Sequence, residues 1–283
     1  MQKHAFLIIA HNNFLVLERL IESLKSPRAD IFLHVDSKVK TLPAFLKETE
    51  VIVLNNRVDT RWGDVSQIET EFALFKEAFD RGGYSHYHVI SGTHFPLLPI
   101  NTILDYCDGN QGKTIFCGLC KASKKQEYWK LRLFNFFTRY LSDSNSFVKT
   151  SAQKLRRATL QVQEFFGVER NKGVNFYKAS NWASFTEEAV GYLLGHNSYI
   201  MKLFNKTFCG DEFFAPTLLM ASPLKGKIVN YNQYLKVDMG DANPRYLTNE
   251  DFDMVMESGC MFARKFSDEN IEVVDRILRQ ILQ

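Results

Sequence analysis

Two adjacent carboxylates, Asp211 and Glu212, stand between a glycine and a pair of phenylalanines within residues 207–216. Acidic side chains are seldom buried unless they are paired or functional, and an apolar environment raises the pKa of a carboxylate toward the range useful for a general base. Glu212 is therefore the candidate base. The alternative is that Asp211 caps a helix over residues 212–220, because both charges are favourable at its amino end.

The composition is that of an ordinary globular protein, with 45% hydrophobic and 24% charged residues in a chain of 283. The net charge of +3 is too small to indicate a nucleic-acid partner. The apolar run over residues 5–10 is shorter than a signal-peptide core, and no later stretch could span a bilayer. We therefore expect a cytoplasmic protein.

The five cysteines are odd in number and scattered, which favours reduced thiols over a disulfide framework. Cys117 and Cys120 have the spacing of a metal or redox pair, but no second pair completes a zinc site. We expect buried free thiols.

Strand-like and helical patterns alternate over the first part of the chain. Strands are predicted over residues 4–10, 31–35, 51–54 and 86–90, and helices over 15–24 and 65–80. This alternation predicts an α/β fold, with a mostly parallel sheet and helices on both faces.

Polar residues follow each of these four strands, at 11–13, 36–38, 57–64 and 91–94. Ligands of such sheets gather at the carboxyl ends of the strands, although any single polar residue there could be a loop or a helix cap. No glycine-rich dinucleotide fingerprint and no Walker-type phosphate loop is present. The recurrence of polar residues at four strand ends favours a ligand site there, and a mononucleotide held largely by side chains is compatible with it.

Residues 121–172, the basic segment, carry twelve basic and four acidic side chains interleaved with aromatic residues. We expect two helices here, divided near residues 142–146. One interpretation is a surface that binds acidic glycan, lipid headgroups or a membrane. The other is a solvated basic face above an aromatic core stripe.

The remaining chain supplies further candidates. A strand-like run over 176–185 precedes a helix that Thr186 caps, and Trp182 is either a core residue or a platform for a sugar ring. A strand is expected over 227–231 and a last helix over 268–282.

The acids Asp251 and Asp253 form an Asp-x-Asp sequence, which holds a divalent metal in many nucleotide-sugar enzymes. Thr248 stands three residues before Asp251, however, which is a capping-box spacing, so we assign these acids to the first turn of a helix. Phosphates then need another counter-charge. Arg245 and Lys265 flank this helix, and a lysine in the apolar setting of Lys265 is costly without an anionic partner.

In combination, these residues resemble the core-2/I-branching β-1,6-N-acetylglucosaminyltransferase family, which includes the peptide O-xylosyltransferases. The matching pieces follow the order of the family over nearly the whole chain. They are residues 9–11, 34–38, 61–66, 91–97, 180–182, 210–214 and 245–266.

The resemblance implies a GT-A fold and inverting, metal-independent transfer from a UDP-sugar, without a cofactor. Each candidate site residue receives a role by similarity. Glu212 is the base; His11, Asp36, Arg61, Trp62, Arg245 and Lys265 bind the nucleotide sugar, the last two at its diphosphate; Lys125, Ser180 and Trp182 bind the acceptor.

The sequence departs from the family at His94, where relatives usually carry Asp, and at Tyr128, where an acceptor-binding arginine is expected. The membrane anchor and the cysteine framework of the animal relatives are missing, which suggests a bacterial enzyme of the cytoplasm, with the basic segment as a candidate contact to the inner face of the membrane.

The first hypothesis is a glycosyltransferase that moves GlcNAc from its UDP donor to a glycan or glycolipid in surface polysaccharide synthesis, in one GT-A domain over 1–283. Residues 1–120 form the nucleotide-binding half, 121–175 a basic helical insertion, and 176–283 the acceptor and catalytic half. The alternatives are a UDP-xylose-dependent xylosyltransferase and a non-catalytic module that binds acidic polymer or membrane. A glycosidase is disfavoured because adjacent Asp211 and Glu212 would point in different directions.

Overall fold

A seven-stranded sheet lies at the centre of the computed structural model, which describes residues 2–240 and 244–282. The strands are β1 (Lys3–Ala10), β2 (Ala29–Val35), β3 (Ile52–Val53), β4 (Tyr84–Ser91), β5 (Phe95–Pro96), β6 (Thr114–Phe116), β7 (Cys120–Lys121), β8 (Tyr177–Lys178), β9 (Ser184–Thr186), β10 (Ile228–Asn230), β11 (Leu235–Val237) and β12 (Phe262–Arg264). The helices are α1 (Phe14–Ser23), α2 (Ser66–Arg81), α3 (Ile100–Gly109), α4 (Lys124–Gln126), α5 (Ser146–Phe165), α6 (Glu187–Gly195), α7 (Asn197–Phe204), α8 (Phe214–Met220), α9 (Phe252–Met256) and α10 (Ile271–Ile281).

The central sheet has the order β10-β6-β9-β4-β1-β2-β3 and is mostly parallel. Only β9 runs antiparallel to its neighbours β4 and β6 within the described part of this sheet. The run from His4 to Ile8 in β1 is buried without interruption, which requires cover on both faces. Helices α2 and α6 pack against the sheet and against each other. The predicted α/β class, a mostly parallel sheet flanked by helices, is confirmed.

The six elements predicted over the first 90 residues lie within two residues of their observed bounds. The strand predicted over 176–185 is wrong in its middle. Ser180 turns the chain there, because its N–H donates to the carbonyl of Cys117 and its hydroxyl accepts from the N–H of Trp182. The cysteines are free as expected, but Cys120 is exposed and Cys117 is only partly buried.

The basic segment contains one long helix, not the two that were expected. Before α5, the chain makes only α4 and a wide turn over residues 127–132. The side-chain amide of Asn135 donates to the carbonyls of Trp129, Lys130 and Leu133 at 3.1 to 3.3 Å. A side chain therefore supplies hydrogen bonds to these carbonyls where a continuous helix was expected. The helix α5 begins where the side chain of Asn145 accepts from the N–H groups of Phe147 and Val148.

The second sheet attaches the carboxyl-terminal segment to the central one. Strand β12 lies between β11 and β5, and β5 follows directly after β4. Beyond β12, the N–H of Phe266 donates to the carbonyl of Thr93 at 3.0 Å. Residues 262–266 are therefore held against the end of β4. No helix of the described chain is long and apolar enough to cross a membrane.

A buried row of hydrogen-bonded side chains crosses the central sheet. His4 lies 3.0 Å from His88, which lies 2.5 Å from the hydroxyl of Ser184, and that hydroxyl donates to Tyr234 at 3.0 Å. The other ring nitrogen of His4 is 3.2 Å from Asp108. Burial lowers the pKa of His4 to about 4, despite the opposing charge of Asp108. The ring is therefore neutral in the folded protein near pH 7.

We expect the free energy of unfolding to fall as the pH is lowered from 6.5 to 4. Burial lowers the pKa of six histidines, those of His4 and His34 to about 4. The unfolded chain has ordinary histidine pKa values near 6.5, so it binds more protons in this range and acid favours it. Urea titrations at three pH values will measure the effect, and His4→Gln should reduce the slope. A stability that is constant from pH 6.5 to 4 would contradict this account.

Candidate active site

The polar ends of the parallel strands meet at one edge of the central sheet. The N–H of Asp36, after β2, donates to the carbonyl of Ala10 at the end of β1. The N–H of Gly92, after β4, donates to the carbonyl of Ile9, which also lies in β1. His11, Asp36 and the turn that begins at Ser91 are therefore neighbours, as the strand pattern predicted.

A group of ion pairs organises the loops after β2 and β3. The ammonium of Lys38 donates to Asp36 at 2.6 Å and to Asp59 at 2.8 Å. Asp59 also accepts from Arg61 at 2.8 Å and from Arg139 at 2.7 Å. Burial acts to raise the pKa of Asp59, but its hydrogen bonds to Arg61 and Lys38 outweigh it and hold the pKa at about 2. The guanidinium of Arg61 is thus engaged by a carboxylate of this loop.

Two cations, Arg264 and Lys265, lie near the edge that carries His11. The pKa of His11 is lowered by desolvation and by the positive charge of Lys265. Burial lowers the pKa of Arg264 to about 10, and its Nε has no hydrogen-bond partner. The guanidinium of Arg264 lies 5.0 Å from the ring of Trp182, and the ammonium of Lys265 lies 4.6 Å from that of Tyr246. Neither cation forms an ion pair with a carboxylate of residues 2–240 or 244–282.

Arg245, the expected partner of Lys265 at the diphosphate, has its charge balanced within the protein. Its guanidinium donates to Asp238 at 2.7 Å and to Asp251 at 2.5 and 2.8 Å. Asp251 also completes the predicted capping box with Thr248. The pKa of Asp251 is lowered to about 2, mainly by the hydrogen bond from Arg245. The first acid of the Asp-x-Asp sequence is therefore a capping group, as the sequence predicted.

Glu212 ends a single 3₁₀ turn over residues 210–212 and presents its carboxylate to two lysines. The Oε2 atom lies 3.1 Å from the ammonium of Lys178 and 3.7 Å from that of Lys130. The N–H of Ala179 donates to the backbone carbonyl of Glu212 at 3.1 Å, which ties the turn to β8. One third of the Glu212 side chain, 32%, is exposed. Oε2 itself is buried and accepts no hydrogen bond from the described residues, so only the remaining, exposed part of this oriented carboxylate is open to an acceptor hydroxyl, as a general base requires.

Asp211 is the buried member of the pair. Burial raises its pKa to about 7, and the charge of Glu212 adds to the effect. One carboxylate oxygen accepts from the amide of Gln67 at 2.9 Å, and the other has no partner. Glu71, one turn further along α2, is also buried, and its pKa is raised well above the usual range by burial and by Asp211. The predicted capping role of Asp211 is wrong, because α8 begins at Phe214 without a side-chain cap.

The loop with Trp62 closes against the Glu212 turn through Phe208. Trp62 is half exposed, and its ring meets that of Phe208 edge-on at 5.3 Å. Gly63 has φ of 74°, and a Cβ there would lie 2.5 Å from the Phe208 ring. Only glycine fits this approach. The carbonyl of Gly63 accepts from the N–H of Cys209 at 3.1 Å, which fixes the two segments together.

The three expected acceptor residues lie in different environments. Lys125 is exposed on α4, and Ser180 forms the turn between β8 and β9. Trp182 is buried with 8% exposure and packs edge-on against His94 at 4.9 Å, which is the core arrangement. His94 is fully buried and its Nδ1 lies 2.7 Å from the hydroxyl of Ser91, so the residue that departs from the family has a structural contact.

Sequence reasoning did not single out Lys130, Lys178 or Arg264 as members of the site. Lys130 was one of twelve basic residues in its segment, and Lys178 stood in a strand-like run. Arg264 stands in the same apolar run as Lys265, and a cation in an apolar setting is the signal that could have identified it.

The carboxyl ends of these parallel strands carry polar side chains and lie near two cations that have no carboxylate partner among the described residues, a setting that suits an anionic nucleotide. The model of the family "Core-2/I-Branching enzyme" matches residues 4–251. The chain belongs to this family, as the ordered motifs predicted, and it is a glycosyltransferase with a nucleotide-sugar donor and a glycan acceptor. This assignment decides against the glycosidase and against a purely non-catalytic module.

Solved structures resemble the chain in overall shape. Mouse xyloside xylosyltransferase 1, in its apo form, is 10% identical over 95% of this chain and 99% of its own, with a TM-score of 0.46. A 4-diphosphocytidyl-2C-methyl-D-erythritol synthase from Anaerococcus prevotii is 10% identical over 100% of this chain and 97% of its own, with a TM-score of 0.45. No curated protein matches the chain in sequence. The family assignment rests on the family model.

We expect Asp211→Asn to stabilise the protein increasingly as the pH rises from 4 to 7. The pKa of Asp211 is raised from an ordinary 3.8 to about 7, so ionisation above 3.8 favours the unfolded chain and the wild type loses this stability as the pH rises. An asparagine keeps the contact with Gln67 and cannot ionise. The difference in melting temperature between variant and wild type should grow up to pH 7 and then level off. A difference independent of pH would show that the carboxyl is not perturbed.

Proposed function

We propose that the protein transfers N-acetylglucosamine from UDP-N-acetylglucosamine to a hydroxyl of a glycan or glycolipid, with inversion and without a metal, in the synthesis of a surface polysaccharide. The proposal rests on two cations that have no carboxylate partner among the described residues, and on a partly exposed, oriented carboxylate that a short series of contacts links to them. Ala179 binds the Glu212 turn, and three residues further on Trp182 contacts Arg264. These contacts support our assignment of the base and the cations to one site.

Glu212 is the base of the proposed reaction. Its carboxylate accepts the proton of the acceptor hydroxyl while that oxygen attacks the anomeric carbon from the face opposite the leaving UDP. A new bond from carbon to the acceptor oxygen forms as the bond to the phosphate oxygen breaks, so a single displacement gives a β-linkage. Lys130 and Lys178 attract the carboxylate by charge, without a hydrogen bond to Oε2.

Lys265 and Arg264 stabilise the diphosphate as it leaves. Negative charge develops on the leaving oxygen, and donors fixed in position before the reaction stabilise it without reorganisation. His11 and Asp36, at the ends of β1 and β2, are the proposed contacts of the nucleoside. Arg245 would reach the diphosphate by exchanging Asp238 or Asp251 for phosphate oxygens.

Metal independence is supported by the hydrogen bonds that Asp251, the first acid of the Asp-x-Asp sequence, already accepts. Both oxygens of Asp251 are engaged by Arg245, and one also accepts from the N–H of Thr248. A metal would have to displace these contacts. The counter-charge of the diphosphate is then assigned to the cations of residues 264 and 265.

We expect Glu212→Gln to reduce turnover by at least about 10²-fold, the usual lower range for loss of a general base. The assay is release of UDP from UDP-N-acetylglucosamine with water as the acceptor. Donor affinity should stay nearly constant, because the base contacts the acceptor and not the nucleotide. Glu188→Gln, which removes an exposed carboxylate paired with Lys227, is the matched control. Retention of turnover within tenfold would exclude Glu212 as the base.

We expect UDP-N-acetylglucosamine to raise the melting temperature by several degrees in EDTA, because a ligand that binds only the folded state stabilises it. UDP-xylose should give a smaller shift, and the reverse order would favour the xylosyltransferase. Lys265→Ala should remove most of the shift, whereas the exposed Lys225→Ala should not. A shift that needs added Mn²⁺ or Mg²⁺ would overturn the metal-free proposal.

A further inference from the structure

Exposed apolar side chains are concentrated in one part of the surface. Eight of the large ones in the described chain lie between residues 134 and 166: Phe134, Phe137, Tyr140, Phe147, Leu155, Val162, Phe165 and Phe166. Phe147, Phe165 and Phe166 are 78%, 85% and 73% exposed. Contiguous apolar surface is unfavourable in water, and a patch of this kind marks an interaction surface.

The helix α5 presents a line of these residues away from the protein. Phe165 stands eighteen residues after Phe147, which is five turns of an α-helix, and Leu155 and Val162 lie within a quarter turn of the line that joins them. On the opposite side, Arg156 donates to Asn135 at 2.6 and 2.8 Å. These hydrogen bonds hold α5 in its orientation.

The same region carries most of the positive charge. The basic segment has a net charge of +8, whereas the whole chain has +3, so the remainder is negative. On α5 itself, Lys154 and Arg157 are exposed, and they stand seven and ten residues after Phe147, within a quarter turn of the apolar line. Charge and apolar surface therefore coincide.

We propose that the outer face of α5 binds the surface of an anionic lipid bilayer. Phenylalanine side chains enter the boundary between headgroups and acyl chains, and lysine and arginine contact the lipid phosphates. An acidic polymer would meet the charges but leave Phe147 and Phe165 in water. A second copy of this segment would place one surface of +8 against another, so self-association is disfavoured.

The inner side of α5 relates this face to the site. The guanidinium of Arg156 lies 4.2 Å from the ring centre of Phe208, and the N–H of Phe208 donates to the carbonyl of Lys130 at 2.9 Å. Lys130 lies 3.7 Å from Glu212. A bilayer on α5 therefore lies on the side of the site that holds the base, and this orientation toward an acceptor rests on the proposed function.

The test is flotation of the whole protein with vesicles, with no nucleotide added, so its outcome is independent of the transfer reaction. Binding is expected to vesicles of phosphatidylcholine that contain one third phosphatidylglycerol, and it should weaken at least tenfold on pure phosphatidylcholine. The variant Phe147→Ser/Phe165→Ser/Phe166→Ser and the variant Lys154→Glu/Arg157→Glu should each weaken binding at least tenfold.

Tyr199→Ser/Met254→Ser is the matched control, because these apolar residues are 50% and 37% exposed outside the basic segment. It should bind vesicles like the wild type. Circular dichroism and melting temperature will show that each variant is folded. Three results would overturn the proposal: vesicle binding that both α5 variants retain, binding to an acidic polysaccharide with no binding to vesicles, or a wild-type dimer in solution that the phenylalanine substitutions convert to a monomer.

Discussion

The site depends on the position of β1, which is hydrogen-bonded along its length to β2 on one side and β4 on the other. All three strands run parallel, so their carboxyl ends must lie at the same edge, and polar residues placed there become neighbours without any further interaction. The second sheet, β11-β12-β5, adjoins the same edge of the central sheet. Because β12 pairs with β5, which follows β4, Arg264 at the end of β12 and Lys265 after it are brought to the edge of the sheet where β1 ends.

Asp211 and Glu212 show how neighbouring carboxylates acquire different chemistry from their surroundings. Asp211 points into the protein toward Gln67, where burial raises its pKa, while Glu212 remains accessible beside Lys130 and Lys178. The apolar flank that first suggested a perturbed acid therefore acts on the other member of the pair. A buried acid whose protonated form is favoured can support the turn, and the exposed acid is free to exchange a proton with a substrate.

The sequence predicted the elements whose patterns are local and strongly periodic, such as β1, α1, α2 and the capping box of Thr248 and Asp251. It failed where a distant side chain replaces regular structure: the amide of Asn135 binds carbonyls before α5, and Ser180 breaks an extended run. For the site, strand ends and motif order indicated the edge of the sheet. They could not show that Arg245 would be neutralised by Asp238, or that Lys178 would reach Glu212, because these pairs form only in the folded chain.

The protein separates its positive charge into two groups with different supports. Arg264 and Lys265 are held by backbone pairing in and after β12, partly buried and without a carboxylate partner among the described residues, so their charge is focused on a small volume. The cations on α5 stand on long, solvated side chains beside exposed phenylalanines. Fixed charges suit a diphosphate, whose oxygens lie at defined positions, whereas mobile ones suit a surface on which phosphates have no fixed arrangement. Under the proposed function the first group serves the chemistry, and under the proposed membrane contact the second determines where that chemistry takes place.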